Sequence, residues 1–280
     1  MKIIRVFPTS LKKRGGSMLP RDDYAFVGDP DLLRPPADEV HISCVFTWDK
    51  LEAERLFKAW SQYYGKVLIG GPAFGSPKTE FVPGKYIMPG VTFTSYGCNH
   101  QCPWCLVRMR EGPLAEEKSI IPGHIIQDNS LMQCSRRHIE SVFEMLRYLD
   151  QAVTFSGGLE SAQIMDWFVE ELRSVKIAQL FLACDTREAI KPLRRATQLL
   201  GLPRDKVRSY VLVKFKQDET LDEAEGRCRD VWEAGAMPFV QLFQPDDRWI
   251  EYPREWREFQ RAWSRPAIMK SVMSKELVRT

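Results

Sequence analysis

The chain has 280 residues, 28% of them charged and 44% apolar, and 40 basic against 37 acidic side chains leave a net charge of +3. That balance excludes a disordered or collagen-like polymer, and it excludes a chain that binds polyanions over its whole surface. No apolar run is longer than the five residues Leu180 to Cys184, so neither a secretory core nor a membrane span is expected, and the reading is a cytoplasmic protein.

Lys2 to Phe7 reads as a strand, and the glycines and prolines of KKRGGSMLPRDDYAFVGDPDLLRPP, residues 12–36, read as ordered loop. Glu39 to Thr47 predicts a second strand, Asp49 to Tyr64 a helix with Asp49 as its N-cap, and Lys66 to Gly70 a third strand. Together these make a small βαβ unit. The GGPAFG that follows is a turn or a loop where backbone approaches a ligand, without the GxGxxG spacing of a dinucleotide site.

From Val91 onward, strand-like runs begin at Val91, His124, Val153, Gln179, Val207 and Ala236, at intervals of 26 to 33 residues. Helical patterns separate four of the pairs: Arg136 to Leu149, Ser161 to Val175, Arg187 to Leu200, and Leu221 to Ala234 with Gly235 as its stop. A repeating β/α period predicts parallel strands with right-handed crossovers, in an open or closed barrel whose chemistry lies at the carboxyl ends of the strands. The chain thus divides into a small α/β region over 1–85, a core over 86–245 and an extension over 246–280, the first boundary falling in the loop from Pro83 to Gly90.

The extension is basic. Between Tyr252 and Thr280 it carries Arg254, Arg257, Arg261, Arg265, Lys270, Lys275 and Arg279 against Glu255, Glu258 and Glu276. Trp256, Phe259 and Trp263 fall on one helical face, which either packs on the core as a closing helix or offers an aromatic to a nucleic acid. The closing helix is the reading adopted.

Seven cysteines, an odd number, argue against a disulfide framework and for a reducing compartment. Three of them, Cys98, Cys102 and Cys105, stand in YGCNHQCPWCLVR directly after the strand VTFTS. Thiolates at CxxxCxxC spacing can each take one iron of a [4Fe–4S] cluster, which leaves the fourth iron open for a ligand that reacts. A zinc site from Cys98, His100, Cys102 and Cys105 has suitable ligand types but lacks a second CxxC pair. Reading CPWC as a redox pair leaves Cys98 without a part.

The motif, the strand before it and the six β/α units resemble the radical S-adenosylmethionine (radical SAM) superfamily over roughly Val91 to Gln244, and Trp104 resembles the aromatic of that family's CxxxCxΦC. The resemblance implies an incomplete (β/α)6 barrel preceded by a half-Rossmann-like domain. It also implies a cluster held by Cys98, Cys102 and Cys105, and bound SAM whose reductive cleavage gives a radical that takes hydrogen from a substrate. An electron donor of the flavodoxin or ferredoxin kind is implied as partner.

FSGGLES is similar to the family's glycine-rich stretch, with Gly157 and Gly158 at the methionine end of SAM and Glu160 one place later than the usual acid. IIQDNSL resembles a strand-end element of the branch that includes methylthiotransferases and cobalamin-dependent members. LVKFKQDETLDEAE resembles that branch's GxPGET, with Glu219 and Thr220 in place but Lys214 and Gln217 where glycines stand. Asp185 is a candidate for the ribose hydroxyls and Lys214 for the SAM carboxylate, while Asp185 as a helix N-cap and Lys214 as a snorkelling strand-end lysine are the plainer alternatives. The cobalamin-ligand DxHxxG is absent, and only Cys44 precedes the core where methylthiotransferases carry three cysteines. No catalytic side chain is singled out. Nucleic acid remains an alternative substrate, and a non-catalytic cluster or zinc module the alternative of another class.

Overall fold

The computed structural model describes residues 1–9, 18–75 and 81–277, without the side chains of 275–277. The first part of the predicted loop, residues 12–17, and the side chains of Lys275, Glu276 and Arg279 lie outside the described residues. The chain forms two compact units, one of residues 1–91 with 245–249, the other of residues 92–244 with 250–280.

The first unit is a parallel sheet of β1 (Ile3–Phe7), β2 (Ala25–Val27), β3 (Glu39–Ser43) and β4 (Val67–Gly70), in the order β2-β1-β3-β4. Alternate residues Ile4, Val6, Val40 and Ile42 turn to one face and bury against Ala53, Leu56 and Trp60 of helix α1 (Lys50–Ser61). Strand β2 lies inside the segment read as loop, because three residues among prolines and aspartates carry no periodic signal. Asp49 does occupy the N-cap position of α1, but its side chain makes no cap bond, since Thr47–Asp49 already winds as a 3₁₀ turn. Gly71 has φ +102°, and a Cβ there would sit 2.6 Å from the Cys44 carbonyl oxygen, so the GGPAFG glycine serves close backbone packing. Residues 245–249 join this unit through Thr47, whose Oγ1 lies 3.0 Å from Asp246 Oδ1, and through Trp48 and Trp249, whose rings are 5.5 Å apart.

The second unit holds the predicted period. Strands β5 (Val91–Thr92), β8 (Ile125–Ile126), β9 (Val153–Leu159), β10 (Ile177–Ala183), β11 (Val207–Val213) and β12 (Met237–Leu242) follow one another across a sheet in chain order. The ladders from β8 to β12 are parallel. Between the strands run α3 (Arg136–Leu149), α4 (Asp166–Arg173), α5 (Ile190–Leu200) and α6 (Leu221–Glu233). Helices α4 and α5 start later than their periodicity suggests, because Ser161–Gln163 and Arg187–Ala189 wind as 3₁₀ turns first. Ser135 caps α3 by accepting the His138 N–H at 3.2 Å, and a Thr220/Glu223 capping box starts α6. Buried Phe143, Phe155, Phe168, Leu180, Val211 and Val231 are part of the core between helices and sheet.

The β5-to-β8 interval has no long helix; it contains an antiparallel ladder of β6 (Ser95–Tyr96) with β7 (Ala115–Glu116) and a short helix α2 (Val107–Glu111). After β12 come α7 (Arg254–Ser264) and α8 (Pro266–Leu277). Trp256, Phe259 and Trp263 are 5%, 9% and 3% exposed, so the closing-helix face is buried and its aromatics are not presented for base stacking. Helix α7 lies along the free edge of β12, where the Val240 carbonyl accepts from Ser264 Oγ at 3.0 Å and Gln260 Nε2 at 3.4 Å. No described helix is long and apolar enough to cross a membrane.

Candidate functional site

The three clustered cysteines sit in the loop carried by the β6–β7 ladder, in which Ser95 pairs with Glu116 and Tyr96 with Ala115. The ladder hands over to the loop at Gly97, where φ is +72° and a Cβ would lie 2.7 Å from the Gly112 carbonyl oxygen; only glycine fits. Cross-bonds then fasten the loop to itself. The Cys98 N–H donates to Gly112 O at 3.2 Å, the Leu114 N–H to Asn99 Oδ1 at 3.2 Å, and the Cys105 N–H to Cys102 O at 3.0 Å. Glu111 at the end of α2 accepts the Gly97 N–H at 3.0 Å and the Asn129 side chain at 2.6 Å, joining the loop to the end of β8.

All seven cysteines are free; Cys98 and Cys102 are half-buried and Cys105 is exposed, whereas Cys44, Cys134, Cys184 and Cys228 are buried. Burial, followed by the neighbouring Cys105 and Cys98, pushes the Cys102 thiol above its ordinary value. Burial is the first cause at Cys44 and Cys184 as well, and there it pushes both thiols up to about 12, as expected of packed thiols. Among the described residues, no three His, Cys, Asp or Glu side chains already converge as a metal site.

Gln133, which the sequence reading passed over, and Glu160, the displaced acid of the glycine-rich stretch, organise this loop. Gln133, in the 3₁₀ turn Leu131–Gln133 after β8, accepts the Asn99 N–H at 2.8 Å, while its Nε2 lies 2.7 Å from Glu160 Oε1 and 3.4 Å from Cys98 Sγ. Glu160 is a hub: Oε1 also accepts from Ser130, and Oε2 lies 2.6 Å from Gln163 Nε2 and 2.9 Å from His100 Nε2. The carboxylate stands there because β9 bulges between Phe155, which pairs with Leu180, and Leu159, which pairs with Leu182; four steps on one strand match two on the other. The offset of the acid in GGLE was therefore visible in the sequence, although its structural reason was not. A lone glutamine in a turn carries no motif.

Gly157 and Gly158 make up the bulge. A Cβ at Gly157 would run into the Asp128 carbonyl oxygen, so its bareness is required by the packing of β9 on the end of β8. Gly158 has φ +83°, with the Tyr210 ring 3.4 Å from the position of a Cβ. Trp104 and Asp185, assigned separately from the sequence, are neighbours, the indole N–H being one of the groups that lower the Asp185 carboxyl against its burial, and Trp104 also meets Phe215 edge-on at 5.4 Å. Asp185 is not a helix cap; it accepts the Leu212 N–H at 3.0 Å, and burial raises its carboxyl despite that bond. Lys214 has φ +62° and gives its ammonium to the carbonyls of Gln217 and Glu219, with the Trp256 ring 5.1 Å away, so it closes its own loop. Arg227 pairs with Glu219 and donates to the Asp185 and Leu212 carbonyls at 2.8 and 3.0 Å, tying the ends of β10 and β11.

No protein-family model matches the chain, and no curated protein is significantly similar to it. The donor chemistry therefore rests on the residues alone. Three soft thiols and His100 stand on one loop, and the His100 Nε2 lies 2.9 Å from Glu160 Oε2.

Proposed function

We propose that this chain is a radical SAM enzyme, its second unit an incomplete (β/α)6 barrel and its cluster held by Cys98, Cys102 and Cys105. The observation that carries the reading is the CxxxCxxC loop, which follows the first strand of a sheet whose strands lie side by side in chain order, parallel from β8 to β12. Such an order, without the reversal of a doubly wound sheet, supports reading the sheet as a barrel wall. When bound, the cluster and SAM supply reductive cleavage of the sulfonium, which yields methionine and a 5′-deoxyadenosyl radical able to take a hydrogen atom from substrate.

The chain's own residues do the positioning. The three thiols hold the iron, Gln133 and Glu160 fix the loop from below, and the bulge at Gly157 and Gly158 brings main chain to the same end of the sheet. Trp104 and Asp185, close neighbours, are assigned to the flank on the β10 side, at the adenosine end of SAM. Lys214, occupied by its loop, is left out of that assignment. A low-potential donor of the flavodoxin or ferredoxin kind supplies the electron, in the cytoplasm. The nucleic-acid alternative is disfavoured by the burial of Trp256, Phe259 and Trp263.

Anaerobic reconstitution with iron and sulfide tests the reading. A brown protein that converts SAM to methionine and 5′-deoxyadenosine on reduction supports it. A protein that takes up zinc but no iron–sulfur cluster replaces the enzyme with a structural metal module.

A further inference from the structure

We infer that Gln133 is a positioning residue that tunes the Cys98 sulfur toward the cluster and couples that sulfur to Glu160; the inference rests on the functional reading above. Every polar atom of the side chain is engaged. Oε1 takes the Asn99 N–H at 2.8 Å, and Nε2 faces two acceptors, Glu160 Oε1 at 2.7 Å and Cys98 Sγ at 3.4 Å. Only one orientation of the amide satisfies this set, because the flipped form would aim its oxygen at a carboxylate and a sulfur and its N–H groups at another N–H.

The side chain is also well held. Its turn is closed by the Gln133 N–H to Ser130 O at 3.1 Å, and the two residues before it, Leu131 and Met132, are buried in the core. A second N–H, from the His100 main chain, lies 3.4 Å from the same sulfur. Cys98 is thus the cluster ligand that arrives with two N–H groups already pointed at it. Hydrogen bonds to a ligating thiolate draw electron density off the sulfur and favour the more negative, reduced state, so they raise the reduction potential of the centre. One amide then links three functions: the fold of the motif loop at Asn99, the donor strength of Cys98, and the placement of the Glu160 carboxylate.

The test compares wild type, Gln133→Glu and Gln133→Met after anaerobic reconstitution, reading bound iron and sulfide, thermal unfolding and midpoint potential. Gln133→Glu keeps the acceptor for Asn99 but offers the sulfur no N–H and adds a negative charge; it is expected to fold and to show a more negative midpoint potential. Gln133→Met should shift the potential in the same direction by less, and iron retention against a chelator should fall about tenfold in both. Loaded variants whose potentials match wild type overturn the role of Gln133 while leaving the cluster standing. Two variants that fail to fold make Gln133 a structural residue and likewise overturn it. A wild-type protein that binds no cluster instead overturns the functional reading, and this inference with it.

Discussion

Asp128 accepts the main-chain N–H of Thr94 at 2.6 Å, so a carboxylate at the end of β8 holds the strand residues that lead into the cysteine loop. Ser95 donates to the same carboxylate at 2.9 Å, and His138 Nε2 lies 3.1 Å from Thr94 Oγ1 behind it. The Asp128 side chain is buried, and burial raises its carboxyl above the ordinary 3.8 even against those bonds. The folded state therefore holds the proton more tightly than the unfolded chain does. It follows that this group's contribution is most favourable below the unfolded value and is lost as pH rises through the folded one. Thermal unfolding of wild type and Asp128→Asn between about pH 4 and 7 should show wild type losing ground to the variant as pH rises. Parallel profiles would show that Asp128 is ionised at no cost.

The two bulge glycines should respond differently to a methyl group. In Gly157→Ala the new Cβ meets the Asp128 main chain, which cannot yield, and the loss should be about 3 kcal/mol or more, readable by denaturant unfolding. Gly158→Ala meets the Tyr210 ring at ordinary contact distance and suffers mainly from its φ of +83°, about 1–2 kcal/mol. Gly158 is thus the position where SAM contact can be tested apart from folding. Gly158→Val with an intact cluster and no SAM cleavage fits a ligand-facing bulge; unchanged cleavage removes Gly158 from the SAM site.

Single alanine variants at Cys98, Cys102 and Cys105 should each lose cluster iron and sulfide, since no fourth thiol lies in the loop to take over. The buried Cys44, Cys184 and Cys228 serve as controls whose replacement leaves iron content intact. A full cluster in Cys102→Ala would contradict the ligand assignment outright.

For the C-terminal helix, Trp263→Ala removes a ring 3% exposed and is expected to cost about 3–5 kcal/mol, measured by denaturant unfolding. Binding of labelled DNA or RNA that weakens steeply with added salt would reverse this picture and restore the nucleic-acid alternative.

The β/α period of the second unit was legible because each helix alternates with a run of buried β-formers, and Arg136–Leu149 begins and ends where its pattern does. Boundaries slipped at α4 and α5, where 3₁₀ turns absorb the first predicted residues; hydrophobic spacing does not distinguish the two windings over three residues. At the site, the cysteines announced themselves through spacing and residue type. Gln133, Glu111 and the nearness of Trp104 to Asp185 did not, since each depends on which strand ends become neighbours in space. Lys214 shows the reverse case. A lysine at a strand end reads as an anion partner, yet a left-handed main-chain turn directs its ammonium back to carbonyls only three and five residues ahead.

The bond from Thr47 to Asp246 spans 199 residues, and it makes the first unit the last to be finished. During synthesis the sheet of β1 to β4 is available early, but the segment that completes its unit emerges only after the whole run from β5 to β12 has been made. The order of folding is therefore nested: the second unit can assemble from contiguous chain, whereas the first waits with Thr47 and Trp48 uncovered. Cutting the gene at the apparent boundary near residue 91 would yield an N-terminal fragment short of its closing strip, prone to stick, and a circular permutant that brings 245–249 next to the N-terminus should fold that unit sooner.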